Sequence, residues 1–178
     1  SAEFVALLGA PGSGNTTLSE QLIPRFVMQG LKVSLIKHAH HEFDVDQPGK
    51  DSYRHRHAGA SEVLISSAKR FALMHEHRGE PEPTLEELLA RLSPVDLVLV
   101  EGSKAPPHPR IEVWREAVGK PMLQPNDPHV IAVASDAPVP QLPVPFLDAN
   151  NPQQVADFIL NWMKQPAGRS EARLGAAE

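Results

Sequence analysis

Nine residues, Gly9-Ala10-Pro11-Gly12-Ser13-Gly14-Asn15-Thr16-Thr17, stand between an apolar run and a helical pattern. Phe4-Val5-Ala6-Leu7-Leu8 suits a buried strand, and Leu18, Leu22 and Phe26 recur at helical spacing. A strand, a glycine-rich turn and a helix N-terminus in that order meet the context that the phosphate-loop pattern G-x-x-x-x-G-K-[ST] requires. Backbone N–H groups and the positive end of the helix dipole then face one point, where a polyphosphate can sit. The pattern is met at both glycines and at the Thr16 hydroxyl, but position 15 is Asn where Lys belongs.

The rest of the chain supports an α/β reading. Leu31–Lys37 reads as a second strand after Gly30, and Pro24 inside the first helical pattern predicts a kink or break. A polar loop rich in His and Asp covers 38–49, and a short helix runs over roughly 50–59 to Gly59. Glu62–Ser66 and Arg70–His75 read as a tight hairpin. Thr84 and Glu87 form a capping box for a helix carrying Leu85, Leu88, Leu89 and Leu92. Asp96–Gly102 is continuous enough for the centre of a parallel sheet. Ile111–Trp114, Val130–Ala134 and Phe146-Leu147 follow as strands; Asn151 and Pro152 then open a helix bearing Val155, Phe158, Ile159 and Trp162. Strands alternating with helices indicate a largely parallel sheet with an inserted hairpin. The hairpin strand ending at His75 and the strand Ile111–Trp114 are candidates for pairing between subunits.

A length of 178 residues fits a single domain, expected over residues 1–164, with 165–178 a small, polar tail expected to be disordered. A net charge of −5 without a basic stretch argues against nucleic acid as the main ligand. There is no Cys, which suits a cytoplasmic protein, and no apolar run approaches the roughly 18–20 residues that span a bilayer.

In open α/β sheets, ligands sit at the carboxyl ends of the strands. Three such ends carry chemistry here. In the glycine loop, Thr16 can offer its hydroxyl to Mg²⁺. Glu101 closes a continuous apolar strand, where nucleotide hydrolases keep a carboxylate for Mg²⁺; an ordinary surface acid is the alternative. Asp136 follows the late strand and can accept both N1–H and the amino group of guanine; a turn-forming Asp is the alternative. Around them, Lys37-His38-Ala39-His40-His41 places cationic and titratable groups beside the phosphate site. Lys37 can partly replace the charge missing at position 15, and His38 and His41 are candidate phosphate or partner contacts. The histidines also admit a metal reading, though without helical or finger-type ligand spacing. Asp51 can reach Mg²⁺ and Arg54 phosphate, unless both are helix-start charges facing water.

A lysine near β/γ-phosphates contributes charge-assisted bonds of about 1.5–3 kcal/mol each. Asn15 can donate hydrogen bonds but brings no charge. Ground-state affinity then falls by roughly one to two decades, and turnover can fall further.

Taken in order, the loop 9–17, Ile36–Asp44, Lys50–Tyr53, Ala58-Gly59-Ala60, Ala72-Leu73-Met74, Asp96–Gly102 and Ile131–Asp136 resemble the molybdopterin-guanine dinucleotide biosynthesis protein B (MobB) family. The resemblance extends to Lys164, and the Lys-His-x-His-His run before Pro-Gly-Lys-Asp-Ser-Tyr is its most specific part. Two departures stand out: Asn15 replaces the loop lysine, and Ser103 stands where the family usually carries an aromatic residue. The resemblance implies a P-loop NTPase-like three-layer sandwich with helices on both faces of a mostly parallel sheet. It also implies GTP binding with Mg²⁺, weak or absent GTPase activity and a homodimer. The implied role is accessory, assisting the MobA-type enzyme that transfers GMP from GTP onto molybdopterin-bound cofactor. The residues alone also leave open a P-loop small-molecule kinase or a nucleotide-dependent metallochaperone.

Overall fold

The computed structural model describes residues 3–39, 43–102 and 108–165. Its contacts divide the chain into two compact units, one formed by Ser1–His38 with Leu92–Glu178, the other by Ala39–Arg91.

The larger unit is built on a six-stranded sheet. Its strands are β1 (Glu3–Leu8), β2 (Val33–Lys37), β5 (Leu97–Glu101), β6 (Arg110–Trp114), β7 (Val130–Ser135) and β8 (Phe146–Asp148). They lie in the order β2-β5-β1-β6-β7-β8, and every pairing is parallel. The expected parallel sheet with helices is therefore present. All five residues of β5 are buried, as a continuous apolar strand between two neighbours requires.

Helices α1 (Asn15–Met28) and α4 (Pro152–Met163) pack on one face of this sheet and against each other. Leu18, Leu22 and Phe26 of α1 meet Val155, Ala156, Ile159 and Trp162 of α4 over Val5, Leu7, Leu97 and Leu99. The i, i+4 spacing puts each set on a single stripe, and full burial of each large side chain contributes about 1.5–3 kcal/mol. That packing also explains Pro24: α1 runs unbroken through it, against the expected break, because Leu22 and Phe26 on either side are fully buried. The helix ends as foreseen at Gly30, where the Leu31 N–H returns to the Phe26 carbonyl at 3.1 Å. Asn151 caps α4, its side chain accepting from the Gln154 N–H at 3.2 Å.

Strand β6 lies between β1 and β7, so both of its edges are used. It is therefore not a strand for pairing between subunits, as its sequence had suggested; its short apolar run belongs to the sheet interior. On the face opposite α1, Glu112 of β6 is buried and accepts backbone N–H groups from Leu123 and Gln124, both at 2.8 Å. Burial pushes its carboxyl pKa upward, the two bonds pull against that, and nearby Asp127 adds to the rise.

The smaller unit holds α2 (Asp51–Ala58), an antiparallel hairpin of β3 (Glu62–Ser66) and β4 (Phe71–His75), and α3 (Leu85–Arg91). The hairpin expected from sequence is present, as is half of the capping box: Thr84 Oγ1 accepts from the Glu87 N–H at 3.2 Å. Arg56 of α2 is buried and reaches three carboxylates: Asp46, Glu76 at 2.7 Å and Asp44 at 2.9 Å. Its guanidinium holds the Asp46 carboxyl below the usual range, while the bonds to Asp46 and Glu76 raise its own pKa.

Candidate functional site

The loop after β1 has the geometry its sequence demands. The Ser13 N–H closes onto the Ala10 carbonyl at 3.0 Å, and Gly14 takes a left-handed conformation, φ 100°, immediately before α1. The first intrahelical bond runs from the Leu18 N–H to the Gly14 carbonyl at 2.9 Å. The N–H groups of Asn15, Thr16 and Thr17 stand before that bond, at the positive end of the helix. Gly9 is dictated by packing: a Cβ there would lie 2.4 Å from Ser13 Oγ and 2.5 Å from the Val113 carbonyl oxygen. A backbone carbonyl in a sheet cannot yield that space.

Two of the expected metal-binding residues meet. Glu101 lies on the same face of β5 as Leu97 and Leu99, hence toward α1, and Thr16 Oγ1 donates to its Oε1. Glu101 is only 5% exposed, so its bond to this hydroxyl is largely screened from solvent. A hydroxyl and a carboxylate are hard oxygen donors of the kind Mg²⁺ takes alongside substrate phosphates. Ser13 Oγ and Asn15 Oδ1 are buried near Gly9 without hydrogen-bond partners, which leaves the loop with unused polar capacity.

Asn15 turns back on the loop, its Nδ2 lying 3.4 Å from the Gly9 carbonyl oxygen, and its own carbonyl accepts from Ser19 Oγ at 3.0 Å. Lys37 is in register with Glu101 on the neighbouring strand but exposed, and makes no ion pair among the described residues. His38 is tied to the same strand end, its N–H donating to the Glu101 carbonyl at 2.9 Å. His41 and Ser103 lie outside the described residues, as do His40 and the tail from 166 onward. Asp51 and Arg54 belong to the Ala39–Arg91 unit, where Asp51 opens α2 and both are exposed. Among the described residues, no group of three or more His, Asp or Glu is placed to hold a metal ion.

Sequence reasoning missed Arg115. It is the first residue beyond β6, and its Nε donates to the Ser13 carbonyl at 3.1 Å. The signal was available: a charge closing an apolar strand, the criterion that singled out Glu101 and Asp136. Arg115 walls a cavity of about 130 Å³ together with Ser13, Gly14, Thr17, Gln21 and Asn150. Asp136 is exposed just beyond Ser135 of β7 and is not part of that wall. Ser135 nevertheless ties the β8 end to it, its carbonyl accepting from the Ala149 N–H at 2.9 Å. A larger concavity of about 600 Å³ runs along α2 past Asp51 and Arg54. It is open to solvent, whereas the smaller cavity is bounded by the loop and a helix start, and so is the better candidate for a nucleotide phosphate.

Comparison with known proteins identifies the family. The family model described as molybdopterin guanine dinucleotide synthesis protein B matches residues 4–136. The chain is 45% identical over 168 residues to the molybdopterin-guanine dinucleotide biosynthesis adapter protein of Escherichia coli (strain K12), covering 93% of this chain and 95% of that one. Its identity to the adapter protein of Haemophilus influenzae is 42% over 163 residues, covering 90% of this chain and 89% of that one. Among solved structures, a molybdopterin-guanine biosynthesis protein B superposes with a TM-score of 0.67 at 26% identity, covering 89% of this chain and 99% of that one. Bacillus subtilis MobB superposes with a TM-score of 0.70 at 24% identity, covering 92% of this chain and 99% of that one. By its matched residues, its identity to these relatives and its fold, the chain belongs to the MobB family.

Proposed function

We propose that this chain is an adapter in molybdopterin-guanine dinucleotide biosynthesis that holds GTP with Mg²⁺ at the loop 9–17 and turns it over slowly or not at all. The observation that carries this reading is the Thr16–Glu101 hydrogen bond, which joins the loop hydroxyl to the strand-end carboxylate at a helix N-terminus. Thr16 and Glu101 would hold the ion; when bound, it neutralises phosphate charge. The amides of Gly14 to Thr17 orient the phosphates, and Asn15 contributes hydrogen bonds without charge. Lys37, at the neighbouring strand end, is the further candidate for a phosphate contact. Without the loop ammonium, transition-state charge is less well stabilised, so binding outweighs turnover.

Asp136 supports guanine over adenine, because a carboxylate at this strand end accepts from two adjacent donors on one base edge. Titration of the protein with GTP and ATP in Mg²⁺ tests the reading. GTP binding tighter than ATP, with Asp136→Asn erasing the difference, supports it; an ATP preference sinks the guanine assignment. The names of the relatives support an accessory role in molybdopterin-guanine dinucleotide biosynthesis, and in this reading the partner is a GMP-transferring, MobA-type enzyme.

A homodimer is part of the same reading. Among the described residues β4 pairs only with β3 in its two-stranded sheet, and Phe71, Leu64 and Leu73 of that hairpin are 71%, 59% and 45% exposed. An exposed strand edge with bulky apolar side chains is a surface for pairing with a second copy.

A further inference from the structure

We propose that Arg115 is the cation of the phosphate site, taking over on the β6 side the charge that Asn15 does not bring. The inference rests on the nucleotide-binding reading above and adds to it a residue that the glycine loop does not contain.

Arg115 is held by the loop itself. Its Nε bond to the Ser13 carbonyl uses one of five guanidinium N–H groups. The same guanidinium lies over Gly14, its Nη2 being 3.5 Å from the point a Cβ on Gly14 would occupy. Arg115 is half-buried, and among the described residues no carboxylate pairs with it. It therefore stands, without a counter-charge, against the start of α1, where the helix dipole is positive. A cation at a helix N-terminus is unfavourable by itself, whereas an anion there is stabilised. The arrangement becomes favourable when an anion enters between the two. The 130 Å³ cavity lies at that place, lined by Ser13, Gly14 and Thr17 of the loop and helix start together with Arg115. A guanidinium fork is also the side chain best matched to two phosphate oxygens. Asn15 makes the assignment specific to this chain: with no ammonium in the loop, Arg115 is the cation that the loop backbone itself holds in place.

The test is calorimetric titration of wild type, Arg115→Gln, Arg115→Lys and Asn15→Lys, and the Asn15→Lys/Arg115→Gln double variant, with GTP and with inorganic tripolyphosphate. Arg115→Gln is expected to weaken both ligands about ten-fold or more and to flatten the salt dependence of binding. Arg115→Lys is expected to recover part of the loss, since it restores charge without the fork. In the Asn15→Lys background the loss should be smaller, because two cations then serve one phosphate chain. Unchanged affinity for both ligands in Arg115→Gln would overturn the inference while leaving nucleotide binding intact. Loss of GTP with tripolyphosphate unaffected would also overturn it, making Arg115 a nucleoside contact. Should wild type bind tripolyphosphate but not prefer GTP, the guanine reading fails and Arg115 is still decided by tripolyphosphate. Should wild type bind neither, both fall. If Arg115→Gln does not melt as wild type does, Arg115→Lys decides: tripolyphosphate binding unchanged in salt dependence and within two-fold in affinity overturns the inference.

Discussion

At the scale of single residues, charge placement decides what the site can do. Asn15→Lys is expected to raise GTP affinity several-fold at low salt, a gain that titration calorimetry reads directly. An unchanged dissociation constant would mean that the loop's need for charge is already met. Glu112 is a second decisive position, since it ties the segment after β6 across the sheet. Glu112→Ala should lower stability by about 1–3 kcal/mol in a denaturant titration, and Glu112→Gln by less, because an amide oxygen keeps one of the two bonds. Its raised pKa sets a sign. The native state holds its proton more tightly than the unfolded chain, so its contribution is fullest below pH 4.5 and is lost as pH rises through the folded pKa. Much of the site was legible at this scale, because Gly9, Thr16 and Glu101 occupy positions fixed relative to a strand and a helix. Arg115 and Glu112 were not, since their roles depend on which strands become neighbours and which face each side chain takes.

At the scale of elements, local signals and packing agreed almost everywhere. Gly30, Asn151 and Thr84 mark the ends of their helices because each satisfies backbone groups that the helix leaves open. Pro24 is the exception: tertiary packing on its flanks outweighed the missing N–H. The Ala39–Arg91 unit is held differently, by Arg56 gathering a strand end, a helix and the loop before it. None of this was legible from sequence, where Arg56 is one charge among several in a polar helix. The depressed pKa of Asp46 predicts a pH response opposite in sign to that of Glu112. Its contribution is present above pH 3.8 and disappears as pH falls through the folded pKa. Hydrogen exchange followed below pH 3.8 should therefore show α2 and the hairpin opening before the six-stranded sheet; simultaneous opening would refute the assignment.

At the scale of the whole molecule, the sheet order follows from the alternation of strands and helices, but the partition into two units did not show in composition. The exposed hairpin predicts an oligomeric consequence. Phe71→Asp is expected to shift the protein from dimer to monomer by light scattering while GTP titration stays unchanged; a dimer of unaltered mass would discard the hairpin as the interface. The strand order carries a further consequence, for the making of the protein. Strand β1 is central, yet its partners begin at Leu97 and Arg110, so Glu3 must wait for Leu97. At about 5–20 residues per second of synthesis, β1 remains without its sheet for roughly 5–20 seconds. Ala39–Arg91 finds its contacts within its own stretch and can settle meanwhile. The apolar run that anchors the glycine loop is thus the stretch of the nascent chain most in need of shielding.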